Sequence, residues 1–322
     1  MPIYDKAVLT EQARQLGFLT APFEKMTRLT EILRYLNDSN ELRESLALKG
    51  GTAINLAVFN LPRLSVDIDL DFTENLTREE TRIKRDRINE LLELYMSTEG
   101  YTKHRQSKST HTLDSFVCTF TNVAGNSDNI KVEINYSLRS HVLATATMTA
   151  RTAEVFIPFS VRTLAPIEIF ASKIVALAER AAARDLYDLN SMIYFGLFDE
   201  PEIILLRKCA VFYMAIAGDL SGQGFRFERI KDITPYKVRT DLFPMIRNKE
   251  RFDLQAAQER VSMFLFKNMA LTKKESMFLD RFAEGKYEPE LVFEDKEIIK
   301  RIENHPMALW RLQHIRGARQ ER

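Results

Sequence analysis

Six consecutive residues alternate strictly between carboxylates and large apolar side chains, in the segment Asp67-Ile68-Asp69-Leu70-Asp71-Phe72. A period of two is typical of a β-strand, in which residues i, i+2 and i+4 share one face. The segment therefore predicts a strand with one apolar face and with Asp67, Asp69 and Asp71 on the other. Asp is a poor strand former, and like charges about 6–7 Å apart repel each other. We therefore expect a cation to neutralise this face.

The expected cation is divalent, because oxygen ligands favour Mg²⁺ or Mn²⁺ over zinc. The turn Gly50-Gly51-Thr52 precedes the strand and offers backbone N–H groups and a hydroxyl to a phosphate chain. Thr52 is also expected to be the N-cap of a helix over about 52–60. A metal site beside a phosphate cradle indicates nucleotide chemistry. The alternative interpretation is an edge strand with solvated aspartates.

Composition excludes several classes of protein. The chain has 46 basic and 45 acidic residues and a net charge of +1, so any nucleic-acid contact must come from local patches. Cys118 and Cys209 lie far apart and form no metal or redox spacing. We expect a cytoplasmic protein without a membrane segment, because no signal-peptide pattern opens the chain and no apolar run approaches about 18 residues.

At 322 residues the chain exceeds the usual size of one domain. The patterns predict an α+β fold, with N-terminal helices and a mixed sheet flanked by helices in residues 1–160 and a mainly helical domain in 161–322. A basic tail is expected beyond His305, either solvated or in contact with RNA. Strands are predicted over 66–72, 101–107, 112–121, 129–137 and 153–157. Helices after Pro166 are predicted over 167–183, 185–195, 200–217, 253–267, 272–284 and 295–303.

A second strand supplies a further carboxylate. Alternation over 129–136 places Lys131, Glu133 and Asn135 on one face. Glu133 could complete a metal triad with Asp67 and Asp69, since two carboxylates can hold Mg²⁺ and a third can accept the proton of an attacking hydroxyl. A solvent-facing strand residue is the alternative.

A third group lies on two predicted helices. Lys173 and Arg180 are seven residues apart, so they share a helix face and could bind a polyphosphate. Asp185 and Asp188 are three residues apart on the next helix, where they could anchor Arg180 or Arg184, or approach the metal. Taken alone, this pattern also fits an ordinary pair of charged helices.

Together these motifs resemble those of the AbiEii/AbiGii/MenT toxins, a group within the DNA polymerase β-like nucleotidyltransferase superfamily. The resemblance covers about the first two thirds of the chain, and its order and spacing are more specific than any single motif. The matching segments are Lys49-Gly50-Gly51-Thr52, Arg63-x-Ser65-x-Asp67-Ile68-Asp69-Leu70, the helix from Glu168 to Lys173, and Arg184-Asp185-x-Tyr187-Asp188-Leu189.

The resemblance implies a nucleotidyltransferase-like mixed sheet and a role for each matching residue. Asp67 and Asp69 would hold Mg²⁺, with Asp71 supportive at most, and Asp185 would be an active-site acid. Glu133 is the candidate third carboxylate. Residues assigned to the nucleotide phosphates are Gly50, Gly51, Thr52, Ser65, Lys173 and Arg180.

The resemblance also implies transfer of a nucleotide from an NTP, with release of pyrophosphate, most simply to the tRNA 3′ end. Such a protein would be the toxin of a toxin–antitoxin or phage-defence (abortive infection) pair, with an antitoxin encoded nearby. Two alternatives stay open, namely a protein or small antibiotic-type acceptor and a catalytically idle binding module. Retention of Asp67, Asp69 and Lys173 argues against the idle module. Cations beside the predicted sheet that could contact an acceptor backbone are Lys103, Arg105, Lys108 and Arg139.

Overall fold

A computed structural model of the protein describes residues 4–153, 155–218 and 224–320. The chain forms two compact units. The first, called the sheet unit, comprises Met1–Arg139, Thr145–Thr163 and Pro244–Glu250. The second, called the helical unit, comprises Ser140–Ala144, Leu164–Phe243 and Arg251–Arg322.

The sheet unit contains eight strands within the described residues. They are β1 (Leu46–Lys49), β2 (Asp67–Phe72), β3 (Thr102–Lys103), β4 (Lys108–Ser109), β5 (Leu113–Thr121), β6 (Ser127–Asn135), β7 (Ala146–Ala150) and β8 (Phe159–Thr163). The strand order is β3-β5-β6-β2-β1-β8-β7, and β4 also pairs with β5. Because β2–β6 and β1–β8 are parallel pairs while the others are antiparallel, the sheet is mixed, as predicted.

Helices of the sheet unit precede and interrupt the strands. They are α1 (Lys6–Leu16), α2 (Thr20–Asp38), α3 (Asn40–Ser45), α4 (Gly50–Ala53) with a following π-helical turn (Ile54–Val58), and α5 (Arg78–Thr98). Thr77 and Glu80 form a reciprocal capping box that fixes the start of α5.

The two faces of the sheet differ in burial. Ile68 and Leu70 of β2 are 0% and 3% exposed, and α2 packs against β2 and β6. Asp67 and Asp69 of β2, with Lys131 and Glu133 of β6, are only half-buried. Register partners in a sheet point to the same side, so these four residues form one surface, called here the carboxylate face.

The helical unit carries the remaining helices. They are α6 (Pro166–Arg180), α7 (Ala183–Tyr194), α8 (Glu200–Ala217), α9 (Pro235–Lys237), α10 (Leu254–Asn268), α11 (Lys273–Ala283), α12 (Lys296–Ile302) and α13 (Pro306–Gln320). Short 3₁₀ or π turns lie at Phe227–Asp232, Val238–Leu242, Phe243–Met245 and Pro289–Leu291. Phe170, Phe212 and Phe278 lie fully buried in its core. None of the described helices has the length and apolar character needed to cross a membrane.

Four local predictions were wrong. Lys49, not Thr52, is the N-cap residue of α4, which begins at Gly50. No strand forms among the described residues of 153–157, because Val155 and Phe156 hydrogen-bond back to Thr152 in a turn, and Glu154 lies outside the described residues. The single strand over 101–107 is instead the short β3 and β4. The predicted basic tail is the helix α13 through Gln320.

Candidate active site

The Gly-Gly turn lies directly against the aspartate strand. Gly50 has φ +67°, and a Cβ at this position would lie 2.7 Å from Oδ2 of Asp69. A Cβ on Gly51 would lie 2.9 Å from Nη2 of Arg63 and 3.2 Å from Oγ of Ser65. Two glycines are therefore required here, one by backbone conformation and both by close approach. The structure places the predicted phosphate turn beside a predicted metal carboxylate.

Thr52 and Ser65 are joined beneath this turn. The Thr52 hydroxyl lies 2.9 Å from Oγ of Ser65 and also contacts the backbone oxygen of Asp67, and the Thr52 side chain is fully buried. The Asn55 side chain donates to the Gly51 carbonyl at 2.6 Å. These bonds fix the turn to the start of β2. The role of Thr52 and Ser65 in phosphate binding stays a prediction.

A lysine neutralises the innermost aspartate. Asp71 is fully buried, and its Oδ1 lies 2.5 Å from Nζ of Lys49. Lys49 lies opposite Asp69 in the β1–β2 register. Its side chain therefore extends along the sheet to Asp71, which is two residues beyond Asp69 on β2. The cation expected at Asp71 is thus supplied by the chain itself, which agrees with a supportive role for Asp71.

Glu133 lies beside Asp69 in the parallel β2–β6 register, and Lys131 lies beside Asp67. Nζ of Lys131 is 2.8 Å from Oε2 of Glu133. Burial alone lowers the pKa of Lys131, but the hydrogen bond and charge of Glu133, together with the charges of Asp67 and Asp69, raise it overall. Lys131 therefore remains a cation among three carboxylates.

The donor set fits a hard divalent cation. Asp67 and Asp69 lie two residues apart on one strand face, and Mg²⁺ commonly takes one or two protein carboxylates plus substrate phosphates. Among the described residues, no cluster of three Asp, Glu, His or Cys side chains has the arrangement of a metal site. A site of Asp67 and Asp69 completed by nucleotide phosphates stays a prediction.

The predicted second group gathers in the helical unit. Nζ of Lys173 lies 2.7 Å from Oδ1 of Asp185 and 3.2 Å from Oδ2 of Asp188. Arg180 donates to both oxygens of Asp185, at 2.7 and 3.0 Å, and keeps 62% of its side chain exposed. Lys173 and the two aspartates are buried. Arg180 is therefore exposed to solvent, whereas Lys173 is buried and bound by Asp185 and Asp188.

Asp185 makes stability depend on pH. Burial raises its pKa, but the charge of Lys173 and the hydrogen bond and charge of Arg180 outweigh burial and hold the pKa to about 2. Because this folded value lies below that of an unfolded Asp, the stabilisation is present above about pH 4 and is lost as the pH falls towards about 2.

We therefore expect the difference in unfolding free energy between the wild type and Asp185→Asn to shrink by about 2 kcal/mol between about pH 5 and pH 2. Urea titrations at a series of pH values measure this difference. A difference that stays constant over the window would show that Asp185 is not held ionised by its partners.

Glu168, at the start of α6, has a structural role. Its buried carboxylate accepts hydrogen bonds from the backbone N–H groups of Val142 and Leu143 and from the Tyr213 hydroxyl. Burial raises its pKa, against the opposing effects of His141 and these hydrogen bonds. Glu168 thereby ties the segment Ser140–Ala144 to the helical core.

Comparison with known proteins assigns the chain to a family. The family model described as "Nucleotidyl transferase AbiEii toxin, Type IV TA system" matches residues 31–298. The chain belongs to this family. It is therefore a nucleotidyltransferase toxin of a type IV toxin–antitoxin system. The sequence motifs predicted the nucleotidyltransferase toxin but not the type of system.

The AbiEii assignment agrees with a structural likeness. MenT4, a nucleotidyltransferase toxin from Mycobacterium tuberculosis, superposes with a TM-score of 0.65 at 18% sequence identity. The match covers 96% of this chain and 99% of MenT4, so the two share a fold. No curated protein sequence matches the chain.

The structure brings predicted site residues together within each unit and shows partners that the sequence reasoning missed. Lys49 and Lys131, which pair with Asp71 and Glu133, received no role of their own. Asp188 was assigned no contact with Lys173. The signals were present, since Lys131 shares the period of Glu133 and Asp188 is one helical turn from Asp185. Arg63, which is 2% exposed and donates to the Leu64 carbonyl, had no signal beyond its place in the motif.

Proposed function

We propose that this AbiEii-family toxin is Mg²⁺-dependent and transfers NMP from an NTP to the 3′ end of tRNA. The proposal is based on the close approach of the Gly50 turn to Asp69. This approach places the proposed phosphate-binding turn next to the two proposed metal carboxylates. NTP, Mg²⁺ and tRNA are all cytoplasmic, and we expect the protein to act there.

In the proposed reaction, the acceptor hydroxyl attacks the α-phosphorus of the NTP. The new P–O bond forms as the bond to the β-phosphate oxygen breaks, pyrophosphate leaves, and the hydroxyl proton is released to water. A bound Mg²⁺ would neutralise the charge that develops on the phosphates. Asp67 and Asp69 would hold the metal, and the N–H groups of Gly50 and Gly51 would orient the phosphates. The resemblance to the AbiEii toxins assigns Lys173 and Arg180 to the triphosphate.

Exposed cations at one end of the carboxylate face could bind a polyanionic acceptor. A single cross-strand row runs from Asp69 through Glu133 and Ser115 to Lys108. Three interstrand spacings of about 4.8 Å place Lys108 about 14 Å from Asp69 on the same side of the sheet. Lys108 and nearby Arg105 are exposed, and the sequence 102–113 contains no acidic residue. An acceptor phosphate backbone could follow this row towards the metal.

The other two candidate cations point elsewhere. Nζ of Lys103 is 2.6 Å from Glu93 of α5 and lies over the Phe116 ring, on the side of the sheet opposite the carboxylate face. Arg139 is half-buried and reaches the Thr81 hydroxyl of α5. Lys103 therefore serves as a charge-matched control for Lys108.

We expect Lys108→Ala to raise KM for tRNA several-fold while kcat changes little, because phosphate contacts position the acceptor without entering the reaction. Lys103→Ala should leave KM nearly unchanged. Steady-state kinetics with tRNA at two salt concentrations measure both effects. Equal effects of the two variants would contradict this acceptor path.

The acceptor itself is identified by labelling. Purified protein is incubated with Mg²⁺, each α-labelled NTP in turn, and either total tRNA or a protein and metabolite extract, with Asp69→Ala as the control. Label on tRNA that requires Asp69 supports the proposal. Asp69-dependent label on protein or on a small molecule would replace tRNA as the acceptor, and no Asp69-dependent label would contradict nucleotidyl transfer by this site.

A role in phage defence is tested in cells. We expect expression of the wild type to arrest growth, expression of Asp69→Ala to be harmless, and co-expression of the antitoxin encoded nearby to restore growth. With toxin and antitoxin present together, phage yield should fall only when Asp69 is intact. An unchanged phage yield would restrict the function to growth control.

A further inference from the structure

Two large apolar side chains of α10 project into solvent. Phe266 is 87% exposed, more than any other large apolar side chain that the structure describes, and Met263 is 73% exposed. The opposite face of α10 buries Ala257, Val261 and Leu265 in the helical unit. The helix therefore has one apolar face for its own core and a second apolar patch that its unit leaves uncovered. Neighbouring exposed apolar residues on one helix face are typical of an interaction surface.

Two opposite charges flank this patch along the helix. Glu259 lies about one turn before Met263, and Lys267 lies about one turn after it, and both are exposed. Within the part of the chain that the structure describes, neither Glu259 nor Lys267 has an ion-pair partner, and Glu259 accepts only a hydrogen bond from the Gln255 amide. The row Glu259, Met263, Phe266 and Lys267 is called here the α10 stripe.

The order of residues in the α10 stripe is self-complementary. When two copies of α10 pack antiparallel about a two-fold axis at Met263, each residue faces the one that lies equally far on the other side of Met263. Glu259 lies four residues before Met263 and Lys267 four residues after it, so each glutamate faces the lysine of the second copy. Arg260 and Phe266, three residues to either side, face each other in the same way. A parallel arrangement would oppose like charges instead.

The helical unit already holds the surface that Phe266 of a second copy would meet. Arg260 donates to Oδ1 of Asn190 in α7 at 2.7 Å, and its guanidinium carbon lies 5.6 Å from the centre of the Tyr194 ring. Tyr194 is itself 68% exposed. Because α7 holds Arg260 in place, the guanidinium and the ring together offer a rigid surface to a further aromatic side chain. Aromatic residues, Met and Arg are also the residue types enriched at protein interfaces.

We propose that the α10 stripe is the contact surface of a symmetric dimer of this toxin, in which two copies of α10 pack antiparallel with Met263 on the two-fold axis. The two Glu259–Lys267 pairs fix the register, and Phe266 packs against Arg260 of the second copy. A single pair of short helices buries little area, so we expect a transient dimer with a dissociation constant of about 10–100 μM. The dimer does not depend on the proposed metal or acceptor.

Charge reversal tests the two pairs. Sedimentation equilibrium of the full chain measures the dissociation constant of the dimer. Glu259→Lys and Lys267→Glu each replace two opposite-charge pairs with two like-charge pairs, because the two-fold axis repeats every substitution, and each should raise the constant at least about tenfold. The double variant restores both pairs with their signs exchanged and should return to within about threefold of the wild type. A double variant that does not recover, or a wild type that stays monomeric at about 500 μM, would overturn the dimer.

Disulfide formation tests the antiparallel register. Met263→Cys places two thiols at the axis, within reach of each other across a helix pair. Gln255→Cys, eight residues from the axis, places its two thiols about 24 Å apart. Cys118 and Cys209 are 2% and 0% exposed and do not compete. We expect mild oxidation to crosslink Met263→Cys and to leave Gln255→Cys monomeric. Crosslinking of Gln255→Cys, or none in Met263→Cys, would contradict the register.

An apolar substitution tests the centre of the surface. We expect Phe266→Ser to raise the dissociation constant of the dimer at least about tenfold, because it removes the same anchor from both copies. Ile83→Ser is the control, since Ile83 of α5 is also apolar and 56% exposed but lies outside the α10 stripe. It should leave the constant unchanged, and thermal melting verifies that both variants are folded. Equal effects of the two variants would indicate non-specific apolar association and overturn the proposed surface.

Discussion

Gly50→Ala should abolish nucleotidyl transfer in a protein that still folds. The backbone at Gly50 has φ +67°, and the added Cβ would lie 2.7 Å from Oδ2 of Asp69, closer than any stable contact. Asp69 must therefore move away from its place beside the turn. Because a displacement of about 1 Å in a catalytic group can cost about 100-fold in rate, we expect at least that loss. Single-turnover rates at saturating NTP measure it.

Gly125→Ala is the matched control for backbone strain. Gly125 has φ +85° in the turn that precedes β6, and a Cβ there would meet no atom within 4 Å. Both variants should lose about 1–2 kcal/mol of stability, because an L-residue in the left-handed region costs that amount. Gly125→Ala should keep near-normal activity. Equal activity losses in the two variants would show that strain, and not the position of Asp69, accounts for the effect.

Lys173→Met should cause the second large effect, on stability and activity together. It leaves Asp185 and Asp188 without their shared cation, although both side chains are only 1% exposed. Breaking a buried ion pair by removing one partner costs about 3–5 kcal/mol. Arg180 continues to bind Asp185, so the loss should fall at the lower end of this range. Chemical denaturation measures it.

The control for Lys173 lies in the same unit. Arg207 binds Glu275 at 3.0 Å, and the Glu275 side chain is 2% exposed, so Arg207→Met also removes the cation that neutralises a buried carboxylate. We expect both variants to be destabilised, but only Lys173→Met to lose transfer activity under conditions where each is fully folded. If Arg207→Met also loses transfer activity, the result would contradict a direct role of Lys173 in transfer and would indicate a structural role.

The fold was predictable where one segment carries its own pattern. The alternation of β2 gives its apolar face and its carboxylate face, and the six helices predicted after Pro166 correspond to α6, α7, α8, α10, α11 and α12. The capping residues Thr77 and Asp199 fix helix starts by local hydrogen bonds, so no tertiary information was needed. The wrong strand over 153–157 failed because the turn at Thr152 depends on local side-chain bonding that apolar content does not reveal.

The sequence predicts a set of candidate site residues, but it does not predict how they pair. Which carboxylate a lysine neutralises depends on strand register, and the sequence does not state that Lys49 lies opposite Asp69 or that Glu133 lies beside it. For the same reason the sequence does not show that the Thr52 hydroxyl bonds Ser65 and the Asp67 backbone oxygen. Which side chains pair depends on non-local contacts between strands, and the periodicity of the sequence does not contain this information.

The central claim is that the Gly50 turn and Asp69 serve nucleotidyl transfer. The most direct measurement compares NTP labelled at the α-phosphate with NTP labelled at the γ-phosphate, using wild type and Asp69→Asn with the acceptor fraction. We predict α-label on the acceptor and γ-label only in pyrophosphate, both requiring Asp69. Transfer of γ-label to the acceptor, or α-label transfer that persists in Asp69→Asn, would contradict the account.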